Sequence, residues 1–107
     1  SCARWTSVTA HDCQPVNTDR PRILGSQTAG ATLGATTGTW TRMTNGGTYT
    51  YQWNRCSGAS CSPISGATTD QYVVLAADTG KALTVTVTAH NSGSSNFAQS
   101  EPTGIIP

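Results

Sequence analysis

The chain has 107 residues, which suits one domain with one modest core. Charged residues make up 10% of it and the net charge is +1, so there is no basic field to hold a phosphate backbone, and nucleic acid is not an expected partner. No apolar run approaches the roughly 20 residues that span a bilayer, so membrane insertion is not expected either.

Thr and Val are abundant although the hydrophobic fraction is only 36%. That balance argues for a solvated β-protein, because disorder goes with high net charge and few β-branched residues. Four cysteines permit three pairings. Sequence proximity favours Cys2–Cys13 and Cys56–Cys61, each stabilising by about 2–3 kcal/mol in the chain-entropy model. Zinc is disfavoured, since neither pair is a Cys-x-x-Cys and His11 and His90 stand alone. Disulfides imply an oxidising compartment. The expectation is a secreted or cell-surface chain whose signal has been removed, or a piece of something longer.

In chain order, residues 1–20 read as a disulfide-looped head and connector, 21–103 as the main domain, and 104–107 as a tail. Within the head, Trp5 and Val8 are available for packing. Gln14 to Pro21 is an extended connector, because proline fixes its own φ and biases its predecessor towards extended geometry. Arg22 to Gly25 is a short strand, Gln27 to Gly30 a turn, and Ala31 to Thr36 a strand with Leu33 and Ala35 inward. Thr41 to Thr48 is a loop around the turn dipeptide Asn45-Gly46.

Thr48 to Cys56 is a long strand with Tyr49, Tyr51 and Trp53 on one face. Trp53 is the expected centre of the core. A stapled turn, Cys56 to Cys61, leads into Ser62-Pro63-Ile64, which Pro63 confines to a sheet edge. Tyr72 and Val74 share a strand face. Asp78 belongs to an Asp-x-Gly turn, where its side chain caps backbone amides. Ala82 to Ala89 alternates cleanly: Leu83, Val85, Val87 and Ala89 point in, and Thr84, Thr86 and Thr88 point out. Asn96 to Glu101 is the last strand, and Ile105 and Ile106 have no evident place in the sheets. About seven short strands with regular turn signals mean an all-β sandwich.

An ordered set of residues carries a family resemblance. It consists of Gly30-x-x-Leu33, Gly38-Thr39-Trp40, Tyr49-Thr50-Tyr51-Gln52-Trp53-x-Arg55-Cys56, Cys61-x-Pro63-Ile64-x-Gly66-Ala67-Thr68, Tyr72, Asp78-x-Gly80-x-x-Leu83-x-Val85-x-Val87-Thr88-Ala89-x-Asn91, and Ser100-x-Pro102-Thr103. From Pro21 to Thr103 the chain resembles a bacterial immunoglobulin-like repeat of the kind strung along secreted, cell-surface and phage proteins, especially of actinobacteria. The resemblance implies an immunoglobulin-like sandwich with Trp53 on its central strand. It departs from antibody-type domains in having no cysteine on the Ala31–Thr36 or Ala82–Ala89 strands. The inter-sheet disulfide is therefore absent, and Leu33, Val85 and Val87 replace it by packing. The family supplies no catalytic residues.

The residues themselves point the same way. His11-Asp12 lies beside Cys13, but a bridged cysteine is no nucleophile. The five acids, Asp12, Asp19, Asp70, Asp78 and Glu101, are scattered, which does not suit paired-carboxylate chemistry. No cofactor or metal site is read, and the chain is not expected to be an enzyme. Three non-catalytic functions compete: a structural or adhesive surface module, a subunit of a filament joined by terminal strand addition, and a carbohydrate-binding module. The expected partner is a protein, either another copy or a neighbouring module, or a cell-surface glycan. Candidate contacts are Trp5, Trp40 and Tyr49 for sugar stacking, and Ile105 and Ile106 in the tail for strand addition.

Overall fold

A computed structural model of the chain describes residues 15–41, 43, 47–91 and 95–107. The expected Cys2–Cys13 bridge, Trp5, His11 and the Asn45-Gly46 turn lie outside the described residues.

The fold is the expected immunoglobulin-like sandwich, with all its strand pairs antiparallel. Nine strands are described: β1 (Val16–Asp19), β2 (Ile23–Leu24), β3 (Thr32–Ala35), β4 (Thr39–Thr41), β5 (Thr48–Ser57), β6 (Ser60–Pro63), β7 (Gln71–Val73), β8 (Ala82–His90) and β9 (Ser95–Gln99). Seven of them form the two layers, a three-stranded sheet in the order β2-β3-β7 and a four-stranded sheet in the order β6-β5-β8-β9. The other two, β1 and β4, form a separate ribbon.

The core follows from the period of two along β5 and β8. Trp53↔Val85 and Tyr51↔Val87 are directly opposed, so their side chains share the inner face. Leu33, Tyr72 and Val74 face them from the other sheet. Trp53, Leu33, Leu83, Val85 and Val87 are all fully buried. The Trp53 ring stacks on Tyr72 with centroids 5.5 Å apart, and its indole N–H donates to the Thr69 carbonyl at 2.8 Å. The bulky residue at the centre is thus fixed in orientation and leaves no polar atom stranded.

Thr84 departs from the expected pattern of exposed threonines. It does lie on the outer face of β8, but it is buried there. Asn54 and Gln99 donate to its hydroxyl from the neighbouring strands at 3.2 and 2.9 Å, and the amide of Asn54 also reaches Thr86. A polar ladder across β5, β8 and β9 shields it.

Two expected boundaries move. The connector before residue 20 is built into the fold. Its Val16–Asp19 segment pairs with β4, and Pro15 and Pro21 at its two ends are fully buried. The Asn17 amide holds the register by donating to the Asp19 and Thr39 carbonyls. Gly38, just before β4, has φ +74°, and a Cβ there would stand 2.3 Å from the Asp19 carbonyl oxygen. Only glycine fits where the two segments cross.

The tail is not free either. Ile106 is fully buried in the core cluster, whereas Ile105 is 64% exposed. After β9 the chain continues along β8. Ser100, Thr103 and Ile106 donate their amides to the carbonyls of Val85, Leu83 and Lys81, each at 2.9 Å. The hydroxyls of Thr103 and Ser100 accept the Leu83 and Val85 amides in return, both at 3.0 Å. These long-range bonds could not be read from local patterning. Truncating Ile106 to alanine is expected to lower stability by about 2–5 kcal/mol, the usual cost of emptying a buried isoleucine site. Urea unfolding followed by Trp fluorescence measures it; an unchanged midpoint would return the tail to solvent.

Candidate functional site

The most concentrated polar chemistry in the described residues surrounds Asp78. After β7 the chain makes a short 3-10 turn, Ala76–Asp78. Its geometry comes from a reciprocal pair of bonds: the Asp78 amide donates to the Leu75 carbonyl at 2.9 Å, and the Leu75 amide donates to Asp78 Oδ2 at 2.8 Å. This is the amide cap expected of the Asp-x-Gly turn. Two side chains add to it. Arg55 Nε donates to Oδ1 at 2.5 Å, and the Tyr72 hydroxyl donates to Oδ2 at 2.6 Å. Asp78 is fully buried, while the Arg55 side chain is 31% exposed.

Arg55 reaches this point because it lies two residues after Trp53 on the same face of β5. Tyr72 reaches it because its ring is pinned against Trp53. The network therefore ties the turn before β8 to both sheets. Burial by itself would raise the Asp78 pKa. The bonds from Tyr72, the Leu75 amide and Arg55, together with the Arg55 charge, outweigh burial and hold it below the ordinary carboxylate value. Burial, the bond to Asp78 and the Asp78 charge push Tyr72 up to about 12. The bond to Asp78 likewise raises Arg55. A carboxylate this acidic is a weak proton acceptor, and a phenol this basic keeps its proton at neutral pH. The chemistry available to the network is cohesion.

Three cavities lined by described residues open on the surface. The first, of about 410 Å³, lies between the β1–β2 link and the C-terminal segment. Its charges are matched in place, with Arg20 paired to Glu101 and Arg22 to Asp19. The second, of about 300 Å³, lies against the β5–β6 hairpin and includes Arg55 and Lys81 in its lining. The third, of about 230 Å³, runs beside the β7 edge between Ile64 and Leu75.

The residues expected to meet partners are placed as follows. Trp40 is half-buried on β4, and its indole N–H donates to the Thr37 carbonyl at 2.6 Å. Tyr49 is half-buried against the core cluster. Each keeps part of its surface exposed, so sugar stacking at Trp40 and Tyr49 stays a proposal. Ile106 is withdrawn as a contact because the core holds it, and only Ile105 stays outside. Trp40, Tyr49 and Ile105 line none of the three cavities.

Cys56 and Cys61 are bonded within the β5–β6 hairpin, directly opposite each other. Reducing this bridge is expected to cost about 2 kcal/mol, since the loop it closes is short. Comparing urea midpoints with and without reductant measures it; a loss of folding on reduction would assign the bridge a larger role.

Patterning missed both the partners of Asp78 and the pocket beside Arg55. One signal was available. Alternation places Arg55 on the same face as Trp53, and a charge directed towards a core calls for an opposite charge nearby. Among the described residues no helix is long and apolar enough to cross a membrane. No protein-family model matches the chain, and no curated protein matches it.

Proposed function

We propose that this chain is a non-catalytic extracellular module, an immunoglobulin-like unit with a structural or adhesive role on a secreted or cell-surface protein. The observation that carries the reading is the commitment of its strongest polar constellation. Both carboxylate oxygens of Asp78 are bonded to Arg55, Tyr72 and the Leu75 amide, in an arrangement that fastens a turn. The Cys56–Cys61 bridge supports the oxidising location. The pattern shared with bacterial immunoglobulin-like repeats supports the modular role. The test is labelling of intact source cells and their medium with an antibody to the folded chain. Signal at the surface or in the medium is expected; signal only after permeabilisation overturns the location.

Self-assembly by strand addition is the second reading, and the β7 edge favours it. Val74 directs its amide and carbonyl towards the β3 side, to Ala31 and Gly30, so Val73 directs its own outward beside the third cavity. The docked C-terminal segment is no longer the donor strand in this reading. Negative-stain microscopy at high concentration tests it: filaments are expected if the edge is used, and monodisperse monomers remove it.

A further inference from the structure

The two sheets differ by one strand, and the difference leaves a built pocket. The inner face of the β5–β6 hairpin projects past the three-stranded sheet. Arg55↔Ser62 and Ser57↔Ser60 are directly opposed pairs, so these four side chains share that face. With Lys81 and Ile64 they line the cavity of about 300 Å³. Two cations therefore meet three hydroxyls in a lining that contains no acid.

The charges are not equivalent. Asp78, outside the lining, neutralises Arg55 through Nε, and the rest of the guanidinium, which also lies beside the Tyr72 hydroxyl, carries further N–H donors. The Lys81 ammonium donates to Ser57 Oγ at 3.3 Å and has no ion-pair partner among the described residues. The pocket thus carries one uncompensated positive charge, a fork of donors held in place by a buried acid, hydroxyls that can both donate and accept, and an apolar wall at Ile64. The volume sits at the lower end of small-ligand sites and admits a single ring.

We infer that this pocket binds an acidic sugar, its carboxylate directed to Lys81 and Arg55 and its ring hydroxyls to Ser57, Ser60 and Ser62. The inference goes beyond the structural reading and does not depend on it, since cell labelling and ligand binding can each fail alone.

The test is NMR titration of the full oxidised chain with glucuronate and galacturonate, with glucose and inorganic sulfate as controls, and with polygalacturonate to distinguish a free monosaccharide from a unit in a polymer. At least one uronate is expected to shift the amides of residues 55–62, 64 and 81, reversibly and more weakly as salt is raised. Lys81→Gln is expected to weaken binding at least tenfold and Lys81→Arg to retain most of it, both with unchanged urea midpoints. Saturation by the polymer alone would place the ligand in a chain of such sugars; saturation by the monomer would place it free. The assignment is overturned if glucose binds as well as the uronates, if sulfate binds as tightly as they do, if the shifts fall elsewhere, or if neither the uronates nor polygalacturonate shift any amide.

Discussion

Replacing Trp53 with alanine is expected to lower stability by about 3–5 kcal/mol, the largest loss available to a single apolar substitution here. The indole is fully buried between the sheets, stacks on Tyr72 and donates to the Thr69 carbonyl. Truncation therefore removes packing on both sides and leaves that carbonyl without its partner. A loss of this size is a large share of the 5–15 kcal/mol typical of folded domains, so the variant should be partly unfolded at 37 °C. Tyr72→Phe, with its hydroxyl contact read by urea unfolding, makes the comparison variant. Trp53→Phe is expected to lose less than Trp53→Ala, because it keeps a ring against Tyr72 while giving up the indole hydrogen bond. A Trp53→Ala loss below about 1 kcal/mol would mean that the sandwich is centred elsewhere.

Replacing Asp78 with alanine is expected to cost about 2–4 kcal/mol. Removing one partner of a buried ion pair leaves the other uncompensated, and the full penalty for deep pairs is about 3–5 kcal/mol. The loss is smaller here because Arg55 is 31% exposed and water can reach it. The Tyr72 hydroxyl and the Leu75 amide also lose their acceptor, and each unsatisfied group adds to the cost. Calorimetry should show a clear drop in the unfolding midpoint with the sheet spectrum intact below it. If Asp78→Ala unfolds like the parent, the network is incidental to the fold.

The parts that were legible in the sequence are those in which one strand carries its own signal. Ala82–Ala89 and Thr48–Cys56 alternate with period two, and Trp53, Val85 and Val87 follow directly from that alternation. Pro63 marked β6 as an edge for a local reason, the missing donor. The parts that were not legible depend on contacts far apart in the chain. Val16-Asn17-Thr18-Asp19 has no alternation, and its pairing with β4 is supported by an Asn17 side-chain amide bond made across 22 residues. Ile106 is buried because the chain after β9 stays on the β8 edge, a path set by the Ser100 and Thr103 hydroxyls. The Asp-x-Gly turn is enough to make Asp78 a cap, but its pairing with Arg55 and Tyr72 depends on the packing of both sheets. The pocket at Lys81 arises from a mismatch in strand number between the layers, which no single segment encodes.

The central claim is that the Asp78–Arg55–Tyr72 network fastens the turn before β8 to both sheets. It is tested most directly by stability against pH, from about pH 2 to pH 12, for the parent and Asp78→Asn. The folded-state pKa of Asp78 lies below its ordinary 3.8, so its contribution is fully present above that value and lost as pH falls through the folded one. Tyr72 is raised from 10.0 to about 12, so its contribution is fully present below pH 10.0 and lost as pH rises towards 12. The parent is expected to show urea midpoints falling at both ends, with Asp78→Asn lower in the middle and losing much of the acid limb. A parent profile that stays flat at both ends, or an acid limb that Asp78→Asn leaves unchanged, would contradict the account.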